Sequence, residues 1–440
     1  MDAAARRRGL AIVLAVVFLD LLGFGIIIPI LPYYTRSFPG GTEFVIGLLA
    51  ASYSATQFVF APLLGSLSDR VGRRPVLVVS LLGSVVAWTV FGLAEALWLL
   101  FLARMLAGAM GGNLSTAQAY VADVTPPERR AAALGYIGAA FGLGFIFGPG
   151  IGAVLSFDAT IAAVDALAPA AVPITRFSLP SFAAAFFSLC GVVVALAFLP
   201  ESRTPDGGAP RGDRTSAVAQ LRAAVATPGL RELLTAFFLV SVAFSGVTVM
   251  FIPYVADIYG YTAAQSALLL TYIGLLAVLT QGVLIGRLTA RYGPVPLAVA
   301  GATLLAVATG LLPFSRPLGG LLPDLSGLVP LLTPDLLGLL AVLTLLPVGN
   351  GVLSVTLTAL VSRRASADLQ GSAFGVTQGA GSLARTVGPP VMGGLYAGVG
   401  YWAPFVVGAL LLLPVVALVA RLGRDAAAVD ARPADPGHVR

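Results

Sequence analysis

Two charged side chains stand inside otherwise apolar stretches of the sequence, Asp20 and Arg104. A charge in the hydrocarbon core of a membrane costs about 3 kcal/mol or more unless it is paired or hydrated. Asp20 lies about 12 residues into its stretch, and the rise of 1.5 Å per helical residue places it near the middle of a bilayer. Desolvation favours a neutral carboxyl group and a nearby cation favours the ionised one, so Asp20 has the chemistry of a proton carrier.

Both residues also have a structural interpretation. Asp20 could simply be hydrogen-bonded to the fourth apolar segment, which contains Arg104. Arg104 could extend outward to the membrane surface or reach toward Asp20. It could therefore tune a proton site or tie two helices together.

The elements that must position these residues are membrane helices. Hydrophobic residues make up 58% of the 440 positions and charged residues 10%, against roughly 25% in soluble domains, and mean hydropathy is +0.94. A bilayer core of ~30 Å needs about 20 apolar residues per helix. The sequence therefore predicts an all-α membrane protein with twelve spans, near 9–33, 44–66, 75–94, 97–121, 131–156, 179–199, 233–256, 266–288, 294–313, 335–361, 370–396 and 401–422.

Arginine placement predicts the orientation of these spans. All 26 basic residues are arginine. Only Arg36, Arg176 and Arg316 fall on the side opposite the N-terminus, while Arg104 and Arg385 lie within spans. Because positive charge marks the cytoplasmic side, we expect both termini in the cytoplasm and the chain in the inner (plasma) membrane.

A polar segment and internal similarity divide the chain. The segment at 200–232 is rich in Pro, Gly and Arg, and motifs on either side of it echo each other: Gly148-Pro149 returns as Gly388-Pro389. Parallel repeats of this kind occur in secondary transporters. We expect a six-helix half at 1–199, a cytoplasmic linker at 200–232, a second six-helix half at 233–424 and a cytoplasmic tail at 425–440.

Several classes of function are disfavoured. One cysteine, Cys190, and one histidine, His438, allow neither an intrachain disulfide nor a multi-histidine metal site. The chain has no lysine and no Gly-rich phosphate loop, so direct ATP use is not expected. The arginines lie in loops rather than on one basic face, which argues against nucleic-acid binding. The basic start at Arg6–Arg8 leads into a retained first helix rather than a cleaved signal peptide. We expect no enzyme activity and no cofactor.

The densest charge pattern lies between the second and third spans, at Gly65-Ser-Leu-Ser-Asp69-Arg70-Val-Gly72-Arg73-Arg74. This pattern resembles the corresponding loop of the major facilitator superfamily. Further segments resemble its twelve-helix drug/proton antiporters, tetracycline-efflux type included: the first span from Leu19 to Pro32, Arg104-Met-Leu-Ala-Gly108, Ala119 to Arg130, and Gly144-Phe-Ile-Phe-Gly148-Pro149-Gly150-Ile-Gly152.

Charges of both signs gather at the predicted cytoplasmic surface. A set that pairs in one conformer and separates in another would bias a two-state equilibrium, whereas solvated loop charges would only set topology. We predict a cytoplasmic gate formed by Gly65, Asp69, Arg70, Gly72, Arg73, Arg74, Asp123, Glu128, Arg129 and Arg130.

Glycines recur at every fourth position in the fifth span, at Gly144, Gly148 and Gly152. They occupy one helix face and let another helix approach closely, and Pro149 loosens the helix there. Tight packing alone would explain them. The resemblance implies a further role in antiport.

Uncharged polar residues indicate which spans line a cavity. Spans three, six, nine and twelve contain no Asn, Gln or charged residue in their interiors, so we expect them to face lipid. Two roles are possible for four tyrosines, which could form aromatic walls of the cavity or simply pack between helices: Tyr53, Tyr120, Tyr254 and Tyr272. Arg385 could bind an anionic substrate group, pair with Asp20 or reach the interface. The predicted substrate cavity comprises Gln57, Asn113, Gln118, Tyr254, Gln281, Asn350, Gln378 and Arg385.

The resemblance implies a monomeric, proton-coupled exporter of small hydrophobic or amphiphilic compounds such as drugs. Its partners would be a small-molecule substrate, protons and the lipid bilayer. Tetracycline antiporters carry acidic residues in spans three and nine, whereas this chain has residues such as Ala87 there, which weighs against tetracycline. The alternatives are a proton-linked importer of a sugar, amine or organic acid, and a membrane scaffold or receptor. The long loops at 157–178 and 314–334 are interfacial connectors or a lid.

Overall fold

The computed structural model describes residues 3–169, 172–202, 230–327, 329–330, 332–364 and 370–430. Helices and turns account for the described regular structure, which contains no strand. Eleven segments of it are helical, long and apolar enough to cross a membrane. A further long helix, Gln370–Gly398, carries Arg385. This confirms the predicted all-α membrane fold.

The helices follow in chain order. The first nine are α1 (Ala3–Ile27), α2 (Leu31–Arg36), α3 (Glu43–Val71), α4 (Arg73–Gly92), α5 (Leu97–Gly111), α6 (Asn113–Val124), α7 (Pro127–Leu155), α8 (Asp158–Asp165) and α9 (Ser178–Phe198). The others are α10 (Leu230–Tyr259), α11 (Ala263–Leu279), a π-helical turn (Thr280–Leu284), α12 (Ile285–Arg291), α13 (Pro294–Leu311), a 3-10 turn (Leu312–Phe314), α14 (Ser315–Gly319), α15 (Pro334–Arg364), α16 (Gln370–Gly398) and α17 (Ala403–Asp430).

Three predicted spans are interrupted. The first ends at Ile27 rather than near 33, because Pro29 lacks an N–H and constrains the residue before it, and α2 then restarts with Pro32 in its first turn. The fourth breaks at Gly112 into α5 and α6. The eighth contains the π-helical turn.

The connections differ from simple loops. The predicted loop at 157–178 contains α8, and the loop at 314–334 begins with α14. Most of the predicted linker, residues 203–229, and the last ten residues of the predicted tail lie outside the described residues. The described part of the helix after the linker begins at Leu230, slightly before the predicted start of this span at residue 233.

The chain forms two compact units. The first comprises Met1–Asp213, Ser245–Leu275 and Arg385–Pro404, and the second comprises Arg214–Phe244, Leu276–Ala384 and Phe405–Arg440. The first unit holds two buried apolar clusters. One includes Val17, Leu81, Ala117 and Val192, and the other includes Ile27, Ala87, Ala107, Ala184 and Ala185.

Candidate functional site

Asp20 lies on α1, half-buried, where α4 and α6 also pass. The amide nitrogen of Asn113 donates a hydrogen bond to its Oδ2 at 3.2 Å, and the hydroxyl of Ser84 lies within hydrogen-bonding reach of the same carboxylate. Asn113 is 8% exposed and Ser84 is 3% exposed. The carboxylate is therefore held by neutral donors, an environment in which it can gain or lose a proton without breaking an ion pair.

Arg104 is buried on α5, with 5% of its surface exposed. Its guanidinium carbon lies 4.6 Å from the ring centroid of Tyr53 and 5.7 Å from that of Phe24, and its Nε donates a long 3.5 Å hydrogen bond to the Leu49 carbonyl. Cation–π contacts of this kind contribute about 2 kcal/mol when desolvated. Within the described part of the chain, Arg104 makes no ion pair with Asp20.

Tyr53 of α3 links these two groups. Its phenol lies within electrostatic range of the charges of Arg104, Asp20 and Arg385. Gln57, one turn further along α3, donates at 3.5 Å to the Tyr53 hydroxyl and at 3.1 Å to the Gly111 carbonyl. Sequence reasoning left Tyr53 open as a packing residue, since one tyrosine in an apolar helix carries no signal of its neighbours.

The glycine stripe of α7 packs against α1 beside Asp20. A methyl group placed on Gly148 would lie 2.6 Å from the Cα of Gly25, and one on Gly144 would lie 2.9 Å from the Cβ of Leu21. Gly152 meets the Ile26 carbonyl in the same way, at 2.9 Å. Pro149 is buried next to this contact. The predicted close helix approach is thus confirmed, and α1 is its partner.

Arg73, the first residue of α4, is the centre of the charged segment where α3 ends and α4 begins, with only Gly72 between the two helices. It pairs with Asp69 at 2.7 Å and with Asp123 of α6 at 3.1 Å, and it donates to the Ser68 hydroxyl at 2.6 Å. Only 5% of Arg73 is exposed. Asp69, Arg73, Asp123 and Glu201 are called the inner cluster below.

Glu201 is a member of the inner cluster that sequence reasoning missed. Its two carboxylate oxygens accept the backbone N–H groups of Arg73 and Arg74, at 2.9 and 3.1 Å, so it caps the N-terminus of α4. The turn before α4 needs Gly72, whose φ is +101° and whose missing Cβ leaves room for this carboxylate. The sequence feature that could have indicated this role is the acidic residue itself, which closely follows the last predicted span of the first half.

The other predicted gate residues are less engaged. Arg74 donates to the carbonyls of Ala195 and Leu196, at 3.3 and 2.5 Å, and Gly65 packs against Ser115 of α6. Three further arginines are exposed: Arg70, Arg129 and Arg130. The side chain of Glu128 lies outside the described residues.

A second charged cluster lies at the opposite ends of the helices, all of it within the first unit. Arg36 makes two hydrogen bonds of 2.8 Å to the carboxylate of Asp257 and two, of 2.7 and 3.0 Å, to one oxygen of Glu43. The Tyr396 hydroxyl donates to Asp257 at 2.6 Å. Burial alone would lower the pKa of Arg36, but Asp257 and Glu43 raise it above its ordinary value. Arg36, Glu43, Asp257 and Tyr396 are called the outer cluster.

The outer cluster joins residues far apart in sequence. Arg36 and Asp257 are separated by 221 positions. Beside them, the Tyr33 hydroxyl bonds to the Tyr261 carbonyl at 2.5 Å and to Ser266 at 2.9 Å. Nothing in the local sequence around Arg36 indicates such a partner, so sequence reasoning treated Arg36 only as a loop charge.

The predicted cavity residues fall into three groups. Gln57 and Asn113 lie around Asp20 and Tyr53, as described above. Tyr254 has no exposed surface and packs against the rings of Tyr259 and Tyr401, so in this conformation it is a packing residue. The remainder are exposed or half-buried: Gln118, Gln281, Asn350, Gln378 and Arg385.

Known proteins with similar sequences identify the family of this chain. The sequence profile of the Major Facilitator Superfamily matches residues 13–385. The chain belongs to this superfamily. It is therefore a multi-pass membrane protein of a family of secondary transporters, as the resemblance implied.

Relatives within the superfamily include resistance proteins. The chain is 30% identical over 420 residues to the class G tetracycline resistance protein of Vibrio anguillarum, covering 94% of this chain and 98% of that one. It is 30% identical over 291 residues to multidrug resistance protein 1 of Bacillus subtilis, covering 66% and 69%. The crystal structure of the human organic anion transporter MFSD10 matches with a TM-score of 0.64 and 26% identity, covering 94% of this chain and 99% of that one.

Proposed function

We propose that this protein is a proton-driven exporter of small hydrophobic or amphiphilic compounds. The observation that carries the proposal is the setting of Asp20. It is the one acidic residue deep within a span of the sequence, and it is held by the neutral donors Asn113 and Ser84 rather than by an ion pair with Arg104. Relatives named for tetracycline and multidrug resistance support export as the direction.

The proton on Asp20 and the substrate would each disfavour binding of the other, through the charges around Tyr53 and Arg104. A cationic or polarised substrate near Tyr53 favours the ionised carboxylate, and proton binding removes that charge. Each ligand would then lower the affinity for the other, and this reciprocity is what exchange requires. Arg104, with two aromatic rings and no described ion pair, acts in this scheme as a fixed positive charge that keeps Asp20 ready to release its proton.

The outer cluster supports alternating access between two halves, at 1–199 and 233–424. It ties α2 and α3 of the first half to α10 and α16 of the second, so it must separate when the outer side opens. We place both termini in the cytoplasm, the outer cluster at the opposite face, and the chain in the inner (plasma) membrane as a monomer. The arginine distribution supports this orientation.

The test uses the full chain in proteoliposomes with an acidic lumen. The probes are ethidium as a hydrophobic cation, tetracycline, and fluorescein as an organic anion. Proton-driven export predicts that at least ethidium accumulates in the lumen and that a proton ionophore abolishes the accumulation. Accumulation only with the pH gradient reversed would instead show proton-linked import. Absence of flux, together with no thermal stabilisation by any probe, would favour a scaffold or receptor.

A second candidate substrate class is organic anions. Arg104 is buried and makes no ion pair among the described residues, and Arg385 lies within electrostatic range of the same Tyr53. MFSD10, whose structure the fold matches, is named an organic anion transporter. If fluorescein accumulates and ethidium does not, this class is favoured, and Arg385→Gln should then abolish fluorescein transport.

A further inference from the structure

Five buried polar side-chain groups have no hydrogen-bond partner within the described part of the chain: the indole N–H of Trp88 and four hydroxyls, one of them on Thr125 just after α6. The other three hydroxyls lie on helices that pass Asp20. They belong to Ser80 on α4, Thr116 on α6 and Ser188 on α9, and each of these residues is fully buried. A hydroxyl removed from water without a partner destabilises the fold by about 1–3 kcal/mol. Three of them in one unit therefore indicate a partner other than the protein itself.

Hydroxyls elsewhere in these helices satisfy themselves locally. Thr89 of α4 donates to the Val85 carbonyl at 2.8 Å, and Ser181 of α9 donates to the Phe177 carbonyl at 2.6 Å. Bonds of this type to the preceding turn are the usual solution for Ser and Thr in a helix. Ser80, Thr116 and Ser188 do not make them, so their hydroxyls stay available for another ligand.

Helix register places these hydroxyls around Asp20. A methyl group on Gly191 would touch Leu81 at 3.4 Å and the Cβ of Leu19 at 4.0 Å, so α1, α4 and α9 meet at that level. Ser188 lies one turn before Gly191, toward the level of Ser84 and Asp20. Ser80 lies one turn from Ser84, and Thr116 lies one turn from Asn113, both on the side of the inner cluster.

Polar residues of four helices therefore lie near one level of the first unit. They are Asp20 on α1, Ser80 and Ser84 on α4, Asn113 and Thr116 on α6, and Ser188 on α9.

We propose that these six residues form a hydrated proton-binding pocket inside the first half. Water molecules held by Ser80, Thr116 and Ser188 solvate the Asp20 carboxylate from the side away from Tyr53. A buried water makes about three hydrogen bonds, which this set of hydroxyls and the carboxylate can supply. The proton on Asp20 is then exchanged through this water, so substrate and proton reach the carboxylate from different sides.

The pocket rests on the proposed role of Asp20 as proton carrier, and it extends that role to helices α4 and α9. Those helices were expected to face lipid because they lack Asn, Gln and charged residues. Ser80 and Ser188 lie on the buried faces of these helices, while apolar residues such as Val79 and Phe186 are exposed on the other faces. Five of the six side chains offer only oxygen atoms, and the Asn113 amide nitrogen already donates to Asp20. The proposed ligand is therefore water with a proton, and a sodium ion is the competing occupant.

The first experiment measures thermal stability of purified variants Ser80→Ala, Thr116→Val and Ser188→Ala. If the hydroxyls bind water, each substitution leaves that water short of a partner and lowers the Tm. If the hydroxyls are dry and unpaired, each substitution removes a destabilising group and raises the Tm. Thr89→Val and Ser181→Ala are the matched controls, since they remove locally satisfied hydroxyls from α4 and α9, the helices of Ser80 and Ser188.

The second experiment follows the proton itself by infrared difference spectroscopy. The carbonyl band of the protonated carboxyl group is assigned by its loss in Asp20→Asn. In the variant combining Ser80→Ala, Thr116→Val and Ser188→Ala, the pH at half-protonation should rise by roughly one unit, because less water solvates the ionised form. The single variants should show smaller shifts in the same direction.

Two results would overturn the pocket. One is an unchanged titration in the combined variant together with a raised Tm in the single variants. The other is stabilisation by sodium chloride over choline chloride that the combined variant loses, which would assign the pocket to sodium. Neither result touches the proposed function, which fails separately if Asp20→Asn still concentrates a substrate with normal pH dependence.

Discussion

The inner and outer clusters use the same chemistry in opposite ways. Each is centred on one arginine between two carboxylates. Arg73 is 7% exposed at its side chain and its described partners all lie within the first 202 residues, whereas Arg36 is 25% exposed and its partner Asp257 belongs to the second half predicted from the sequence. In the proposed alternating-access scheme, the inner cluster therefore braces the first half and the outer cluster joins the two halves.

The two clusters are therefore expected to affect different quantities, folding stability for the inner cluster and the populations of the conformers for the outer cluster. A buried pair within one half stays intact while the halves rearrange, so breaking it lowers folding stability in every conformer. A pair that bridges the halves exists in only one conformer, so breaking it changes populations more than stability. The predicted cytoplasmic gate thus has a brace at its centre, and a second gating element lies at the outer side.

The largest effect is expected for Arg73→Ala. It removes the buried guanidinium that Asp69 and Asp123 share, and with it two charged contacts of up to about 1.5–3 kcal/mol each, discounted because those carboxylates are 44% and 31% exposed. The Tm of the purified protein should fall strongly. Arg70→Ala is the matched control, because Arg70 is exposed in the last turn of α3, three residues before Arg73, and its loss should leave the Tm nearly unchanged. Equal Tm values for both variants would remove the distinction between the clusters.

A smaller effect is expected for Asp69→Asn. Its charged contact with Arg73, at 2.7 Å, contributes about 1.5–3 kcal/mol, while Asp123 and Glu201 continue to hold the loop. If this contact belongs to the predicted gate rather than to the brace, turnover in proteoliposomes falls far more than expression does. Unchanged transport in this variant would reduce the loop charges to a topology signal.

Arg36→Ala tests the outer cluster. The bridge contributes about 1–2 kcal/mol after solvent screening, so the outer-open population should rise roughly five- to thirtyfold. The reporter is an Ala263→Cys substitution in a Cys190→Ala background, since Ala263 packs in a buried cluster with first-half residues. Labelling by an impermeant maleimide should accelerate by that factor, with little change in Tm.

The matched control for Arg36→Ala is Arg316→Ala. Arg316 forms an exposed 2.9 Å pair with Asp335, only 19 residues away, on the same predicted side. Its loss should leave the labelling rate of the reporter unchanged. If both variants accelerate labelling alike, the bridge between halves has no special role.

The smallest effect is expected for Tyr396→Phe. It removes one 2.6 Å hydrogen bond to Asp257 and leaves both bonds from Arg36 in place. A single hydrogen bond contributes about 0.5–1.5 kcal/mol, so labelling of the reporter should rise by a few-fold at most. A larger rise than in Arg36→Ala would place the closing interaction on Tyr396 instead.

Local patterns predicted much of this molecule. Hydrophobic length located the spans, and a four-residue period of glycines predicted the close helix approach that Gly148 makes with Gly25. Such features depend on the chemistry of a single segment. The break of the first span after Ile27 also had a local signal, Pro29, whose effect on the helix was underestimated.

Contacts between distant segments could not be predicted in this way. Arg36 and Asp257 meet across 221 positions, and Glu201 reaches back 128 positions to cap α4. The pocket hydroxyls were missed for another reason. Ser80 and Ser188 were not counted among the polar residues of their spans, although a buried serine hydroxyl is polar enough to hold water.

The central claim is that Asp20 carries the coupling proton, and one measurement tests it most directly. Wild type and Asp20→Asn are reconstituted with an acidic lumen, and accumulation of ethidium, or of whichever probe the wild type concentrates, is followed over a range of pH. The account predicts that Asp20→Asn abolishes accumulation against a gradient while downhill exchange at equal pH persists. Accumulation by Asp20→Asn with the pH dependence of the wild type would contradict it and place the proton site elsewhere.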